Sequence, residues 1–366
     1  MSSVTGSALS DAVRDRRIER LVPLAAPRQL IEELPLTESQ AEVLVRGRDE
    51  VQAVLEGLDD RLLVVVGPCS VHDVDATREY AERLSEQAAR LAPELCVAMR
   101  VYFEKPRTTV GWKGLINDPH LDGSSDVNTG LRMARRLLLE VLALDLPVGC
   151  EFLDPITPQY ISDVVSWGAI GARTVESQIH RQLGSGLSMP VGFKNRSDGN
   201  VQVAVDAVRA AGVSHAFAGI DVNGSPAVLY TRGNQECHII LRGGKGTPNY
   251  GAGEVASALE LLRAAGLPER VMIDVSHDNS AKDPARQPAV AADLGTQIAA
   301  GNRAIVGVMI ESFLVEGRQE PPASAEAELI YGQSITDGCI GWEATVEVLD
   351  GLATAVRARR EHEHEH

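Results

Sequence analysis

Short apolar runs rich in Val and Ile recur along this chain from residue 62 onward, separated by longer stretches in which apolar positions fall at helical spacing. Eight runs stand out: 62–67 (LLVVVG), 97–103 (VAMRVYF), 147–153 (PVGCEFL), 169–174 (AIGART), 190–195 (PVGFKN), 238–243 (HIILRG), 271–277 (VMIDVSH) and 304–312 (AIVGVMIES). In GEVASALELLRAAG, one of the stretches between them, Val255, Leu259 and Leu262 share a face, and Gly266-Leu267-Pro268 stops the helix. This alternation is the mark of β–α units that build a parallel sheet. Eight such units predict an α/β fold closed as a (β/α)8 TIM barrel. An open doubly wound sheet usually carries a glycine fingerprint after its first strand, and none follows residue 67.

Two further runs, 214–221 and 226–232, flank Asn223-Gly224 and predict an inserted β-hairpin at about 214–232. Residues 1–60 read as an N-terminal arm with a helical extension, and 61–360 as the catalytic barrel. The closing EHEHEH, residues 361–366, reads as a solvated tail or an appended sequence.

Composition narrows the possible functions. A net charge of −16 disfavours nucleic acid and anionic lipid as partners, so an anionic substrate needs a local basic cluster. No apolar stretch is long enough to span a membrane, and the first residues lack an apolar signal core. Five scattered cysteines without a CxxC pair argue for a reducing compartment, with the cytoplasm as the default location.

Barrel enzymes place their chemistry at the C-terminal ends of strands. Here every strand end brings a polar or charged group: Cys69; Arg100 leading into Lys105, Arg107 and Thr108; Glu151 with Asp154; Arg173; Lys194; Arg242; His277; and Glu311. Taken singly, each has an ordinary structural explanation, such as a surface arginine, a turn-capping histidine or an inert buried thiol. Together they are harder to dismiss, because charges gathered beside a core cost stability unless they pair or bind something. Arg100, Lys105, Arg107, Arg173, Lys194 and Arg242 form a basic set suited to phosphate and carboxylate. Cys69, His277, Glu311 and Asp337 form a mixed thiolate, imidazole and carboxylate set suited to a divalent transition metal. The long loop 105–126, rich in glycine and turn residues, suits substrate binding.

These residues lie in the motifs GPCSVHD, MRVYFEKPRTTVGWKGL, GCEFLDP, IGARTVESQ, GFKN, HIILRGG, DVSHDNS, GVMIESFLVEG and YGQSITDGCIGWE. With them the chain resembles the class I, feedback-regulated 3-deoxy-D-arabino-heptulosonate 7-phosphate (DAHP) synthases over residues 11–360. The resemblance implies a metal-dependent transferase that condenses phosphoenolpyruvate with D-erythrose 4-phosphate in the first step of the shikimate pathway. It implies Cys69, His277, Glu311 and Asp337 as ligands of Mn2+, Co2+, Fe2+ or Zn2+. It places phosphoenolpyruvate on Arg100, Lys105, Arg173, Lys194 and Arg242, with Glu151 as a pocket carboxylate, and the aldehyde's phosphate on Arg107 and Thr108. Lys105, His277 and Cys69 are the expected catalytic residues.

The same resemblance implies an aromatic amino acid effector held near Pro158, Gln159, Leu187, Ser188, Phe217 and Gly219. Phenylalanine-sensitive members carry a serine where this chain has Gly219, which favours tyrosine over phenylalanine. It also implies a homo-oligomer, dimer or tetramer, with the arm packed on a neighbour. Cys339, two residues after Asp337, is expected to reach Cys69 and form a disulfide when metal is lost in air. His72 and Asp73 are expected to be turn residues or to support the metal's ligands from behind. The competing functions are a related phosphoenolpyruvate-dependent sugar-acid synthase, a Schiff-base aldolase using Lys105 or Lys194, and a non-catalytic amino acid sensor.

Overall fold

The structure, a computed structural model, describes residues 14–107, 109–321 and 328–364. Its centre is a closed barrel of eight parallel strands: β1 (Leu62–Gly67), β2 (Leu95–Arg100), β3 (Val148–Glu151), β4 (Trp167–Ile170), β5 (Val191–Lys194), β8 (His238–Leu241), β9 (Val271–Asp274) and β10 (Ile305–Glu311). The ring closes where β1 pairs with β10, Gly67 standing beside Glu311. All residues of these strands are buried, as expected when a sheet is covered on both faces. Apart from β1, the strands end earlier than their apolar runs do. The run at 271–277 stops being strand at Asp274, and that at 169–174 is strand only from Trp167 to Ile170.

Alternate residues point inward. Leu63, Val65, Cys96, Ala98, Trp167, Ala169, Ile240, Met272 and Met309 form the interior cluster together with Val51, Val54 and Leu55. Those last three lie on the helix α2 (Glu38–Glu56), so the N-terminal extension plugs the bottom of the barrel. A reciprocal cap between Thr37 and Gln40 starts this helix, and Gly57 ends it at φ 73°, a backbone conformation that favours glycine.

The inserted hairpin is present as β6 (Ala216–Ile220) paired antiparallel with β7 (Pro226–Tyr230). Its Asp221–Ser225 turn is docked by the helix α1 (Pro27–Glu33), where Arg28 N donates to Val222 O at 2.7 Å and Arg28 Nε to Asn223 Oδ1 at 2.9 Å. Two elements are not anticipated by the apolar pattern. Strands β11 (Val315–Arg318) and β12 (Gln333–Ser334) form a small parallel pair after β10. A bridge between Gly317 and Cys339 and a 2.7 Å contact between the Thr336 and Ser70 hydroxyls return this excursion to the end of β1. The final helix, Trp342–His364, runs on into the span expected to be a tail.

Candidate active site

The strand ends open into a cavity of about 480 Å³ at the C-terminal mouth of the barrel. Arg100, Lys105, Glu151, Arg173, Lys194, Arg242, His277, Glu311 and Asp337 all line it. The structure therefore brings most of the predicted residues together from seven barrel strands and the β12 excursion.

Each buried cation is held by a specific partner. Arg100, 1% exposed, meets Glu311 Oε1 at 2.9 Å and donates to the carbonyls of Pro68 (3.1 Å) and Cys69 (3.0 Å). Its guanidinium also lies 3.7 Å from the centre of the Tyr102 ring, a cation–π stack that fixes its plane. Lys194 Nζ is 2.9 Å from Asp274 Oδ2, and Arg242 pairs with Asp278. Arg173 is exposed at the rim.

Lys105 sits over the thiol. Its Nζ is 2.7 Å from Cys69 Sγ and 3.2 Å from Asp337 Oδ2. Burial opposes the charge on Lys105, but Cys69, Asp337 and Glu311 outweigh it and raise the ammonium's pKa. In return the Lys105 charge holds the Asp337 carboxyl well below its ordinary range. Burial, with Glu311 adding to it, pushes the Cys69 thiol up to about 11, even against the nearby Lys105.

Ligand atoms of Cys69, Glu311 and Asp337 lie within 4.8 Å of one another, and His277 Nε2 stands 3.8 Å from Glu311 Oε1. The Lys105 ammonium already occupies a cation's place among these donors. The Cys69 sulfur and the Glu311 and Asp337 carboxylates form one group with the His277 imidazole beside Glu311, a mixture of donors that fits a divalent transition metal.

Some predicted residues are not brought together. Arg107 is exposed and lies outside the cavity wall, and its guanidinium curls over Gly111, where a Cβ would lie 2.7 Å from Nε. Thr108 lies outside the described residues. Asp154 is exposed and does not line the cavity. Asp73 caps the helix Val74–Leu91 by accepting from Ala76 N at 3.0 Å, and His72 is buried against Phe313. The six positions expected to hold the effector lie on three segments. Pro158 and Gln159 start a short helix, Leu187 and Ser188 precede β5, and Phe217 and Gly219 are on β6. A Cβ on Gly219 would come 2.4 Å from Leu229 Cδ1, so the movable end of Leu229 takes the space that glycine leaves.

The DAHP synthetase I family description matches residues 34–350. The chain belongs to this family. Relatives in the DAHP synthetase I family include the Phe-sensitive phospho-2-dehydro-3-deoxyheptonate aldolase of Escherichia coli (strain K12), 56% identical over 94% of this chain and 98% of that protein. The phospho-2-dehydro-3-deoxyheptonate aldolase of Corynebacterium glutamicum is 52% identical over 98% of this chain and 99% of that one. The solved structure of phospho-2-dehydro-3-deoxyheptonate aldolase from Francisella tularensis SCHU S4 superposes with a TM-score of 0.91 at 49% identity, covering 93% of this chain and 99% of that one.

The strand-end census missed Lys245, Lys282 and Arg318, which add cations to the wall, and Asp274 and Asp278, which pair with Lys194 and Arg242. Asp274 was legible only as a charged residue inside the apolar run 271–277. Of the others, Lys245 and Lys282 sit in turns, Asp278 in a short helical turn after β9 and Arg318 at the end of β11, where no apolar periodicity marks them.

Proposed function

We propose that this chain condenses phosphoenolpyruvate with D-erythrose 4-phosphate to give DAHP and phosphate, the first step of aromatic biosynthesis. The observation that carries this reading is a single cavity where a ring of cations meets the Cys69, Glu311 and Asp337 donors, in a chain of this family. Arg100, Lys105, Arg173, Lys194 and Arg242 hold the phosphate and carboxylate of phosphoenolpyruvate, and Arg107 with Thr108 serves the phosphate of the aldehyde substrate once Arg107 leaves Gly111 and turns to the cavity, outside which it lies here. Glu151 lines the same wall, and its carboxylate lies over Gly171, with an oxygen 2.3 Å from where a Cβ on that glycine would lie.

Cys69, His277, Glu311 and Asp337 would hold a divalent metal, which when bound supplies Lewis-acid polarisation of the aldehyde oxygen. The cationic wall fixes phosphoenolpyruvate with C3 towards the aldehyde carbon. The bond between C3 and that carbon forms, C2 becomes electron-poor, and a water oxygen adds to C2. The C2–O bond to phosphate then breaks, releasing inorganic phosphate. Lys105, whose ammonium reaches into the donor cluster, gives a proton to the new alkoxide oxygen. A Schiff-base role is disfavoured because Lys194 and Lys105 are both held as cations in ion pairs.

An aromatic amino acid is the expected effector, with tyrosine ahead of phenylalanine. Gly219 carries no side chain, and a phenol hydroxyl would enter the space beside it by displacing the end of Leu229 that fills it here. Among the relatives, the E. coli protein is named Phe-sensitive and one from Schizosaccharomyces pombe tyrosine-inhibited. The arm leaves Ile18, Leu21 and Val22 more than half exposed, as do Val228 and Tyr230 on the hairpin, which supports burial against a second copy of the chain. No helix among the described residues is long and apolar enough to cross a membrane. Cytoplasmic localisation fits the five free cysteines.

The decisive test is phosphoenolpyruvate consumption with erythrose 4-phosphate, arabinose 5-phosphate and N-acetylmannosamine, with chelator and then with added manganese or cobalt, and with each aromatic amino acid. Turnover of erythrose 4-phosphate alone, lost on chelation and inhibited most by tyrosine, is the expected result. Turnover that survives chelation, or preference for another aldose, overturns it.

A further inference from the structure

Asp274 ends β9 with no exposed surface and does not line the cavity, so it cannot touch a substrate. Its carboxylate nevertheless contacts three residues that do line it, Lys194, His277 and Ser276. Oδ2 is 2.9 Å from Lys194 Nζ and 2.9 Å from His277 Nδ1, and the other oxygen accepts from Ser276 Oγ at 2.5 Å and Ser276 N at 3.0 Å. Ser276 Oγ in turn lies 2.7 Å from His277 Nδ1.

These contacts determine which ring nitrogen carries the proton. The Ser276 hydroxyl donates its hydrogen to Asp274 Oδ1, so towards Nδ1 its oxygen can only accept, and Asp274 Oδ2, although it makes no hydrogen bond among the described residues, places a negative charge 2.9 Å from the same nitrogen. Nδ1 must therefore be the protonated nitrogen, and the lone pair of Nε2 faces Glu311. His277 is held for this at φ 55°, a strained backbone for a residue with a side chain. Lys194 is 3% exposed, and Asp274 is its ion-pair partner.

We propose that Asp274 is a shared positioning residue that joins the two halves of the site: it sets the His277 tautomer for metal ligation and restrains the Lys194 charge until an anion arrives. The proposal rests on the metal-site reading above. It makes a prediction of opposite signs. Without the carboxylate, the imidazole loses its orientation and metal binding weakens. The buried Lys194 meanwhile loses its counterion, and an anionic ligand binds more tightly.

The test is Asp274→Asn in the full chain, stripped with chelator. Co2+ is titrated by its visible absorption, and phosphoenolpyruvate by calorimetry on the same metal-free protein. The expected result is a Co2+ dissociation constant raised about 10- to 100-fold, the range seen when a ligand's hydrogen-bond partner is removed. Phosphoenolpyruvate is expected to bind more tightly by about tenfold or more, because the anion offsets the buried charge that removal of the carboxylate leaves uncompensated. Unchanged Co2+ affinity overturns the proposal, and so does parallel weakening of both ligands, which a general loss of structure would give. Should the variant fail to fold, long-range proton–nitrogen spectra of histidine-labelled wild-type protein read the tautomer directly. A proton on Nδ1 of His277 supports the proposal, and one on Nε2 refutes it. His277→Gln assigns that signal and serves as the control. If it retains wild-type Co2+ affinity, the metal-site reading itself fails and the proposal falls with it.

Discussion

Glu104 offers a sharp test of how the substrate loop is held. It immediately precedes Lys105, is 3% exposed, and accepts hydrogen bonds from Leu153 N (3.3 Å), Asp154 N (3.2 Å) and Thr157 Oγ1 (3.4 Å). It thus ties the segment leaving β2 to the segment leaving β3. Burial pushes its carboxyl up to about 8 from an ordinary 4.5, the Asp154 charge adds to this, and the backbone donors oppose it. A carboxyl with a raised folded pKa binds its proton more tightly folded than unfolded, so it costs stability as pH rises from about 4.5 to about 8. His72 and His238 are held low by burial, so their contribution still grows as pH rises through 6.5 and levels off about one unit above it. These contributions are common to wild type and a Glu104 variant, so the difference between the two from pH 6.5 to 8 isolates Glu104. At about 1.4 kcal/mol per unit, tapering as the group titrates, wild-type stability falls there by about 1–2 kcal/mol through Glu104. Glu104→Gln abolishes that component while keeping an acceptor for the backbone donors. Urea unfolding followed by tryptophan fluorescence at pH 6.5 and 8, on metal-free protein, measures both slopes. A wild-type-minus-variant difference that does not change with pH refutes the reasoning.

Lys105→Met should lower kcat by about 100-fold or more while Co2+ binding persists; retained turnover removes the proton-donor role. Cys69 N lies 3.4 Å from Cys339 Sγ, so the two thiols are neighbours, and metal-free enzyme in air should lose activity as they pass two electrons to oxygen and join. Cys339→Ser should resist this loss and wild type should recover with thiol, whereas equal loss in both proteins rules the disulfide out. Gly114 has φ 113°, and a Cβ there would lie 2.0 Å from Phe103 O, in the loop where Lys105 N donates to Lys113 O. Gly114→Ala should lower stability by about 1–3 kcal/mol in thermal melts and raise KM for phosphoenolpyruvate by displacing Lys105; an unchanged melt and KM contradict it.

Much of this protein was legible in one dimension. Eight apolar runs separated by amphipathic stretches required a parallel α/β sheet, because each run has the length of a strand buried on both faces and each intervening stretch has one apolar face with which to cover it, and the missing glycine fingerprint favoured a closed barrel over an open sheet. Asn223-Gly224 announced the hairpin, and the polar residue at each strand end announced the mouth, since a parallel barrel delivers all its strand ends to one rim. The sequence motifs and their order were also enough for the family.

What the chain pattern could not contain were relations between residues far apart in sequence. The apolar run through Val275 conceals that β9 stops at Asp274, because an apolar residue beyond a strand looks the same as one within it. That Lys105 lies on Cys69, that one carboxylate serves both Lys194 and His277, and that Leu229 fills the space beside Gly219 all depend on side-chain geometry. Arg107 shows the converse: its motif placed it in the site, while its exposed loop turns it onto Gly111. Periodicity by itself determined the fold, because burial is a local, repeating demand on a strand or helix. Only the closed barrel decided which charges pair, because an ion pair depends on a few ångströms between strands, a distance that spacing along the chain does not encode.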